Sequence, residues 1–529
     1  MTSPARPPFG IALLVAGALL MTAACGSTVQ PSGDALLGAG QGGAVQQGLA
    51  PGGTDGLGTT QPGTSADGMV TSGSGSSGGG TVTGPGTTSG SAGGAGTSGP
   101  STSGGTTGGT STAAGSAGGK PVLEGPGVSA TEIRLGIPYC GDCAQANAAL
   151  GAGGEDPGDT QLYYKAVIDE VNARGGVLGR KLVPVFKEMS ASQNIDAASQ
   201  AMCEAFTKDD KVLIIFMQGE IVYECAKKAG SLVNGAGGSG PVFERYPNMF
   251  APATIRLERL GAVTVKAMVK AGWHKPEPKW PTGKIGLITW DNNDYRYSME
   301  KGWLAALRGA GLKETDVRYV AVPQSDKSLA DASAAISSAV LAFRDQDIDH
   351  VFIADGPAGI FTGVGLTLMF LNTAKSQGYY PRYGFNTNNS PGWENLPADQ
   401  QSGMLAVDSF DTERINDEGI ALNPQRERCW KLITSKGLKA TDAQPTGNTA
   451  IAACEAIWFT EALVNRAAGA TTLPQLIVAG ESLGSSYRSP YTYGTRLAKG
   501  QHDGVALFRN SRFDDGCACM KYSSEPYEP

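Results

Sequence analysis

The sequence predicts an α/β protein made of two doubly wound parallel-sheet lobes. Three observations carry this. Apolar strand-like runs alternate with amphipathic helical stretches from about residue 128 to residue 522. One strand–helix–turn–strand unit is legible in full within residues 133–186. The chain has 529 residues, and the alternating part alone exceeds what one hydrophobic core holds.

The first unit sets the pattern. Residues 133–138 (IRLGIP) form a short apolar run and read as a strand. Asp159 and Thr160 are helix-capping types. Leu162, Tyr163, Ala166, Val167 and Val171 then recur at three- and four-residue spacing, the period of one buried helical face. Gly175 and Gly176 stop the helix, because glycine takes positive φ without steric cost. A second turn at Gly179 releases the chain into 181–186, a further strand. Together these make one right-handed βαβ crossover.

Later elements follow the same logic. Residues 194–206 are an amphipathic helix with Ile195, Ala198, Met202 and Phe206 on one side. The run 212–217 (VLIIFM) is continuously apolar, as a strand covered on both faces must be. Helices are expected over 220–233, 297–309, 329–343, 360–376, 425–435 and 449–467, and strands over 285–289, 317–322, 351–354 and 382–385. Residues 505–508 and 517–522 are expected to close the fold as a short strand pair, before a tail at 523–529.

The stretch 167–182, VIDEVNARGGVLGRKL, resembles the ABC-transporter substrate-binding proteins of the branched-chain amino-acid (Leu/Ile/Val-binding) type. These have the type I periplasmic-binding-protein fold, two α/β lobes that close on a ligand. The resemblance runs from about Val128 to about Tyr522. It implies three hinge crossings, near Thr289, Val407 and Arg488. Lobe one is then 128–289 with 408–488, and lobe two 290–407 with 489–522.

The first 120 residues are of another kind. Arg6 precedes an apolar core at 11–21, and Thr22-Ala23-Ala24-Cys25 closes it with small residues. That run is too short to span a bilayer comfortably and reads as a signal peptide. Its ending resembles a bacterial lipobox, in which Cys25 is lipidated and becomes the mature N-terminus; ordinary signal cleavage is the plainer alternative. Residues 26–120 are Gly/Ser/Thr-rich with almost no aromatic or charged side chain, so they cannot bury a core and are expected to stay disordered. As a flexible tether, about 95 residues have an r.m.s. span of about 50–60 Å. The expected location is the outer face of the cytoplasmic membrane, with lipid as the only membrane contact. Gly75-Ser76-Ser77-Gly78-Gly79 matches a nucleophile-elbow pattern but lacks the strand before and helix after that would give it meaning.

A net charge of −7 and the lack of a basic stripe argue against nucleic acid as partner. No nucleotide-binding loop, HExxH or kinase pattern occurs, which lowers the expectation of an enzyme. His274, His350 and His502 lie far apart without ligand spacing to a cysteine pair, so neither metal nor cofactor is expected.

Nine cysteines in an exported chain read as a disulfide framework once Cys25 is set aside. Cys203 and Cys225 lie on consecutive expected helices flanking the 212–217 strand, and the family resemblance implies a disulfide in this region. Cys429 and Cys454 likewise fall on consecutive helices. Cys140, Cys143, Cys517 and Cys519 remain, either as two local bridges or cross-paired. A redox reading of Cys140-x-x-Cys143 lacks a thioredoxin-like context, and an extracellular setting favours a stable bridge.

Polar and aromatic residues just after strands are the candidate binding set, since groups at converging strand ends orient a small ligand. They are Gln218 and Glu220; Glu244, Arg245 and Tyr246; Asp291 and Tyr295, with Asn292, Asn293 and Asp294 between; Asp355; and Asn386 and Asn388, with Asn389 and Trp393 beyond. Each taken singly also reads as a solvated loop residue or a helix cap. The branched-chain family presents Ser/Thr hydroxyls to the ligand carboxylate after the third and fourth strands of lobe one. This chain has Gln218-Gly219-Glu220 and Phe243-Glu244-Arg245-Tyr246 there, so no carboxylate-binding serine carries over. Acidic side chains suit a cationic or hydroxyl-rich ligand, and Arg245 an anionic group. The expected function is solute capture, of an amino acid or other polar metabolite, for delivery to an ABC permease. A ligand-sensing receptor of the same fold, and a thiol or hydrolytic enzyme using Cys140 and Cys143, are the alternatives.

Overall fold

A computed structural model describes residues 121–142, 159–190, 193–235, 237–324, 326–356, 365–389, 396–410, 423–439 and 445–529. The signal segment, Cys25 and the tether lie outside the described residues, as do Cys143 and Trp393. No helix among the described residues is long and apolar enough to cross a membrane.

The first lobe is a five-stranded sheet, all parallel, in the order β2-β1-β3-β4-β5. Its strands are β1 (Glu132–Cys140), β2 (Lys181–Met189), β3 (Ile214–Ile215), β4 (Leu232–Asn234) and β5 (Met249–Phe250). Helix α1 (Thr160–Ala173) carries the chain from β1 to β2, and the Asp159 carboxylate accepts the Leu162 amide at its start. Gly175 and Gly176 follow at φ +103° and +72°. Helices α2 (Ile195–Glu204), α3 (Glu220–Ala229) and α4 (Gly240–Arg245) make the next crossovers. Ile133, Leu135 and Ile137 pack against Val167 and Val171 of α1 on one sheet face. Met202, Phe206, Val222 and Val233 fill the other. Helices α10 (Pro424–Ser435), α11 (Pro445–Arg466) and α12 (Leu473–Glu481), numbered in chain order, complete the α1 side of this core.

The second lobe is a seven-stranded sheet in the order β12-β11-β10-β9-β8-β6-β7. It holds β6 (Ile285–Asp291), β7 (Glu314–Ala321), β8 (His350–Ala354), β9 (Arg382–Asn386) and β10 (Leu405–Asp408), all parallel. An antiparallel pair, β11 (Arg509–Asp514) and β12 (Cys519–Tyr522), forms one edge. Helices α8 (Asp326–Asp345) and α9 (Gly365–Ser376) cover one face, where Ile336, Phe343 and Phe370 meet Ile288 and Ile353. Helices α5 (Leu257–Lys270), α6 (Asn293–Ser298) and α7 (Ala305–Gly309) lie on the other, where Met268, Trp303 and Leu307 meet Leu287 and Phe352.

Three details differ from the sequence expectation. Thr289 lies within β6 of the second sheet, so the first lobe does not extend to residue 289. The chain has already changed sheets between Phe250 and Leu257, because Leu260, Val263 and Ala267 of α5 pack with Val407 and Phe508. The helix expected over 220–233 ends at Gly230, φ +78°, and the last residues form β4. The closing strand pair is β11 with β12, and 505–508 belongs to the crossing segment before it.

Cys203 is bonded to Cys225, Cys429 to Cys454 and Cys517 to Cys519, with Cα–Cα distances of 6.3, 6.0 and 5.2 Å. Cys140 is also disulfide-bonded.

Candidate functional site

Both sheets contain the same local strand order: β2-β1-β3-β4-β5 in the first, β7-β6-β8-β9-β10 in the second. Each therefore has a switch point, β1/β3 and β6/β8, where crossovers leave in opposite directions and open a crevice at the strand carboxyl ends. A glycine with positive φ sits just past the third strand of each set, Gly219 at +112° and Gly356 at +148°. The sequence-identified residues distribute around these two points.

In the first lobe, Gln218 is half-buried after β3 and Glu220 opens α3. The Glu220 carboxylate accepts from Arg245 Nη1 at 2.7 Å and from Tyr246 Oη at 2.9 Å. Three expected residues thus form one cluster, although the Arg245 and Glu220 side chains remain 59% and 45% exposed, so their ion pair contributes little stability. Glu244 is exposed on α4 and outside this cluster's hydrogen bonds. A groove of 910 Å³ adjoins Glu220 and Tyr246, but it is lined wholly by first-lobe residues, including Lys208, Lys211 and Cys225. It is not the space between the lobes.

In the second lobe, Asp355 is 3% exposed and accepts four hydrogen bonds. The donors are Trp290 Nε1, the Gly356 amide, and the Thr367 amide and hydroxyl, at 2.7–3.1 Å. Burial pushes its carboxyl up to about 6, against the pull of those donors. With its oxygens engaged, Asp355 shapes the β8–α9 turn. Asn386 is also buried, donating to Thr264 Oγ1 at 3.2 Å and accepting the Asn388 amide at 2.9 Å. Asn388 Nδ2 donates to the Asp355 carbonyl at 3.0 Å. A Cβ on Gly356 would lie 2.5 Å from Tyr295 Oη and 2.9 Å from Asn388 Nδ2, so Tyr295, Asn388 and Gly356 converge. Asp291 does not join them. Its carboxylate pairs with Arg296 at 2.5 and 2.8 Å, and that guanidinium lies over the Tyr319 ring at 4.4 Å.

Gly356→Ala is expected to cost about 1–2 kcal/mol, because alanine disfavours this φ and the methyl displaces Tyr295 or Asn388. Urea denaturation checks it, and an unchanged midpoint counts against this packing.

The lobes touch through Asp294, within the expected binding stretch, and through Ser239, Gly240 and Glu258, which the sequence left outside it. Ser239 Oγ, buried after β4, donates to Asp294 Oδ1 at 2.5 Å. The Gly240 amide meets both Glu258 oxygens at 3.1 Å. Burial raises the Asp294 carboxyl; the Ser239 hydroxyl opposes this, the Glu220 charge adds to it and Arg245 offsets it. That electrostatic coupling links the Glu220 cluster to the seam. The available signal was the run Gly235-Ala236-Gly237-Gly238-Ser239-Gly240, which marks a backbone kept free for close approach.

Three chain segments connect the lobes: 251–256, the stretch after β10, and 487–508. The first and third are stitched together. Ala251 N donates to the His502 carbonyl at 2.9 Å, and Gly504 N to the Ala251 carbonyl at 3.0 Å. Asp503, wholly buried, binds Arg256 Nε at 3.0 Å and also pairs with Arg259. Among the described residues no group of three or more His, Cys, Asp or Glu is placed to hold a metal ion.

Solved structures share this architecture. One is an ABC transporter substrate-binding protein from Desulfitobacterium hafniense in complex with Leu, 16% identical, covering 74% of this chain and all of that one, TM-score 0.51. Another is a fatty acid ABC transporter substrate-binding protein from Thermomonospora curvata, 16% identical, covering 77% of this chain and 95% of that one, TM-score 0.53. A third is an ABC transporter solute-binding protein from R. palustris in complex with 4-hydroxybenzoate, 13% identical, covering 75% and 97%, TM-score 0.54. At such identities they attest the fold. No curated protein matches the chain by sequence. The family model described as periplasmic binding protein matches residues 164–508, well over half the chain and both lobes. With that match over both lobes, the chain belongs to the periplasmic binding protein family of solute-binding proteins.

Proposed function

We propose that this protein captures a small molecule between its lobes outside the cytoplasmic membrane and delivers it to an ABC permease. Lipid on Cys25 and the 26–120 tether would hold it at the membrane, and the disulfides would suit that oxidising location. The observation that carries the reading is a switch point in each of two lobes that touch through Ser239–Asp294 and Gly240–Glu258. Gln218, Glu220, Arg245, Tyr246, Tyr295 and Asn388 are the proposed ligand-facing set, with Asp355 and Asn386 as positioning residues. Ligand that prefers the closed arrangement shifts the population toward it.

The test titrates the full chain with a panel of leucine, fatty acids and hydroxybenzoates, the solutes bound by or named for the similar structures, alongside cationic and hydroxyl-rich metabolites. Saturable calorimetric binding, with compaction in small-angle scattering, is the expected result. A panel that produces neither would count decisively against solute capture. Ser239→Ala is expected to weaken that binding by about fivefold, since closure then loses about 1 kcal/mol of seam hydrogen bonding. Equal affinities for variant and parent would remove the seam from the mechanism.

A further inference from the structure

We propose that Cys517 and Cys519 form an accessible thiol–disulfide exchange site, separate from the ligand cleft. The pair closes the turn between β11 and β12. Because β11 runs antiparallel to β10, with Asp408 opposite Arg509 and Leu405 opposite Arg512, its far end returns to the amino ends of the parallel strands. The bridge therefore sits at the opposite pole of the second lobe from the cleft.

Its surroundings differ from those of the other bridges. Cys429 and Cys454 are 0% exposed, so a reductant reaches their bond only by local opening, while the Cys203–Cys225 bridge joins a 0% exposed cysteine to a half-buried one at the wall of the first-lobe groove. Gly516, Cys517 and Ala518 are all exposed. Ala518 is held at φ +52°, a left-handed conformation that a residue with a Cβ enters at a steric cost. Opening the bridge lets Ala518 leave it. The register of β11 with β12 does not depend on the bridge, since Phe513 and Met520 are buried in the second-lobe core.

In the exchange, an external thiolate attacks Cys517 Sγ and forms a mixed disulfide. Cys519 leaves as the thiolate with the bonding electron pair and takes a proton from water. A second thiol of the donor then attacks the mixed disulfide, releasing oxidised donor and a reduced Cys517. The donor is thus a dithiol, oxidised by two electrons as the pair is reduced. Asp514, paired with Lys521 at 2.8 Å, and Asp515 flank the turn, so local charge gives little preference between an uncharged and an anionic dithiol.

The experiment treats the folded full chain with increasing dithiothreitol, traps thiols by alkylation and locates them by peptide mass spectrometry. Cys517 and Cys519 should be alkylated at a concentration at least about tenfold below that needed for the Cys203–Cys225 and Cys429–Cys454 bridges. Opening of all three together, opening of this bridge last, or free thiols before any reductant would overturn the proposal. Ala518→Gly, at an exposed turn that leaves the fold unaffected, should require about two- to fivefold more dithiothreitol, because glycine holds this φ without cost. An Ala518→Gly bridge that opens at the same or a lower concentration would equally overturn it.

Discussion

Asp503→Ala is expected to lower the stability of the folded chain by about 3 kcal/mol, read as a shift in the urea midpoint. The carboxylate is wholly buried and serves three donors: Arg256 Nε at 3.0 Å, the Arg256 amide at 3.2 Å, and the Arg259 guanidinium. Arg256 and Arg259 come from the chain segment that enters the second lobe, and Asp503 from the segment that re-enters it. Arg256 also reaches the Gly500 carbonyl, so one guanidinium spans the whole stitch. Removing the carboxylate leaves two cations facing each other, with the nearby Glu258 charge offsetting Arg256 only in part, and most of the cost is that loss of pairing on burial. Arg256 is 18% exposed and Arg259 36%, so water relieves part of it and the estimate sits at the lower end for buried pairs. Asp503→Asn keeps the acceptor for one donor and should lose about half as much. A loss under about 1 kcal/mol for Asp503→Ala would show that the backbone bonds at Ala251 and Gly504 hold the crossings together by themselves.

What the sequence made legible follows its periodicity. Helix α1, the Gly175-Gly176 turn and β2 were readable because capping, spacing and turn chemistry agree at neighbouring positions. The boundary between lobes was misplaced because β5 has two residues, too few to show a period, and the amphipathic α5 carries no mark of which sheet it covers. Only long-range packing of Leu260, Val263 and Ala267 with Val407 and Phe508 decides that. The same limit governs the site. Residues following long strands, such as Asp355 and Asn386, were identifiable by position, but their roles were not, since hydrogen bonds to Thr367 and Thr264 turn both inward. Asp291 pairs with Arg296 and so stands apart from the Tyr295, Asn388 and Gly356 group. Ser239 and Glu258 act across the seam, and no local pattern encodes a contact between lobes.

Glu455 links this reasoning to pH. It sits on α11, 5% exposed, and accepts from Tyr487 Oη at 2.9 Å and from the Ser489 hydroxyl, at the start of the third connecting segment. Burial pushes its carboxyl from 4.5 up to about 7, against the pull of those two donors. The folded chain therefore binds this proton more tightly than the unfolded chain. Its contribution to stability is full below pH 4.5, declines as pH rises from 4.5 through about 7, and is flat above that. Such a shift corresponds to about 3 kcal/mol. Asp355, raised to about 6, declines in the same direction over a lower range, while His274 and His350, lowered by burial, act in the opposite direction as pH rises to 6.5. Glu455→Gln keeps the shape and an acceptor for Tyr487 but has no proton to lose. Relative to the parent, the variant should gain about 3 kcal/mol between pH 4.5 and pH 8, with little difference at the acidic end. Urea denaturation of both proteins across that range isolates the one residue, because Asp355 titrates in each. Parallel stability profiles would mean that Glu455 stays charged in the folded chain, with Tyr487 and Ser489 compensating its burial in full.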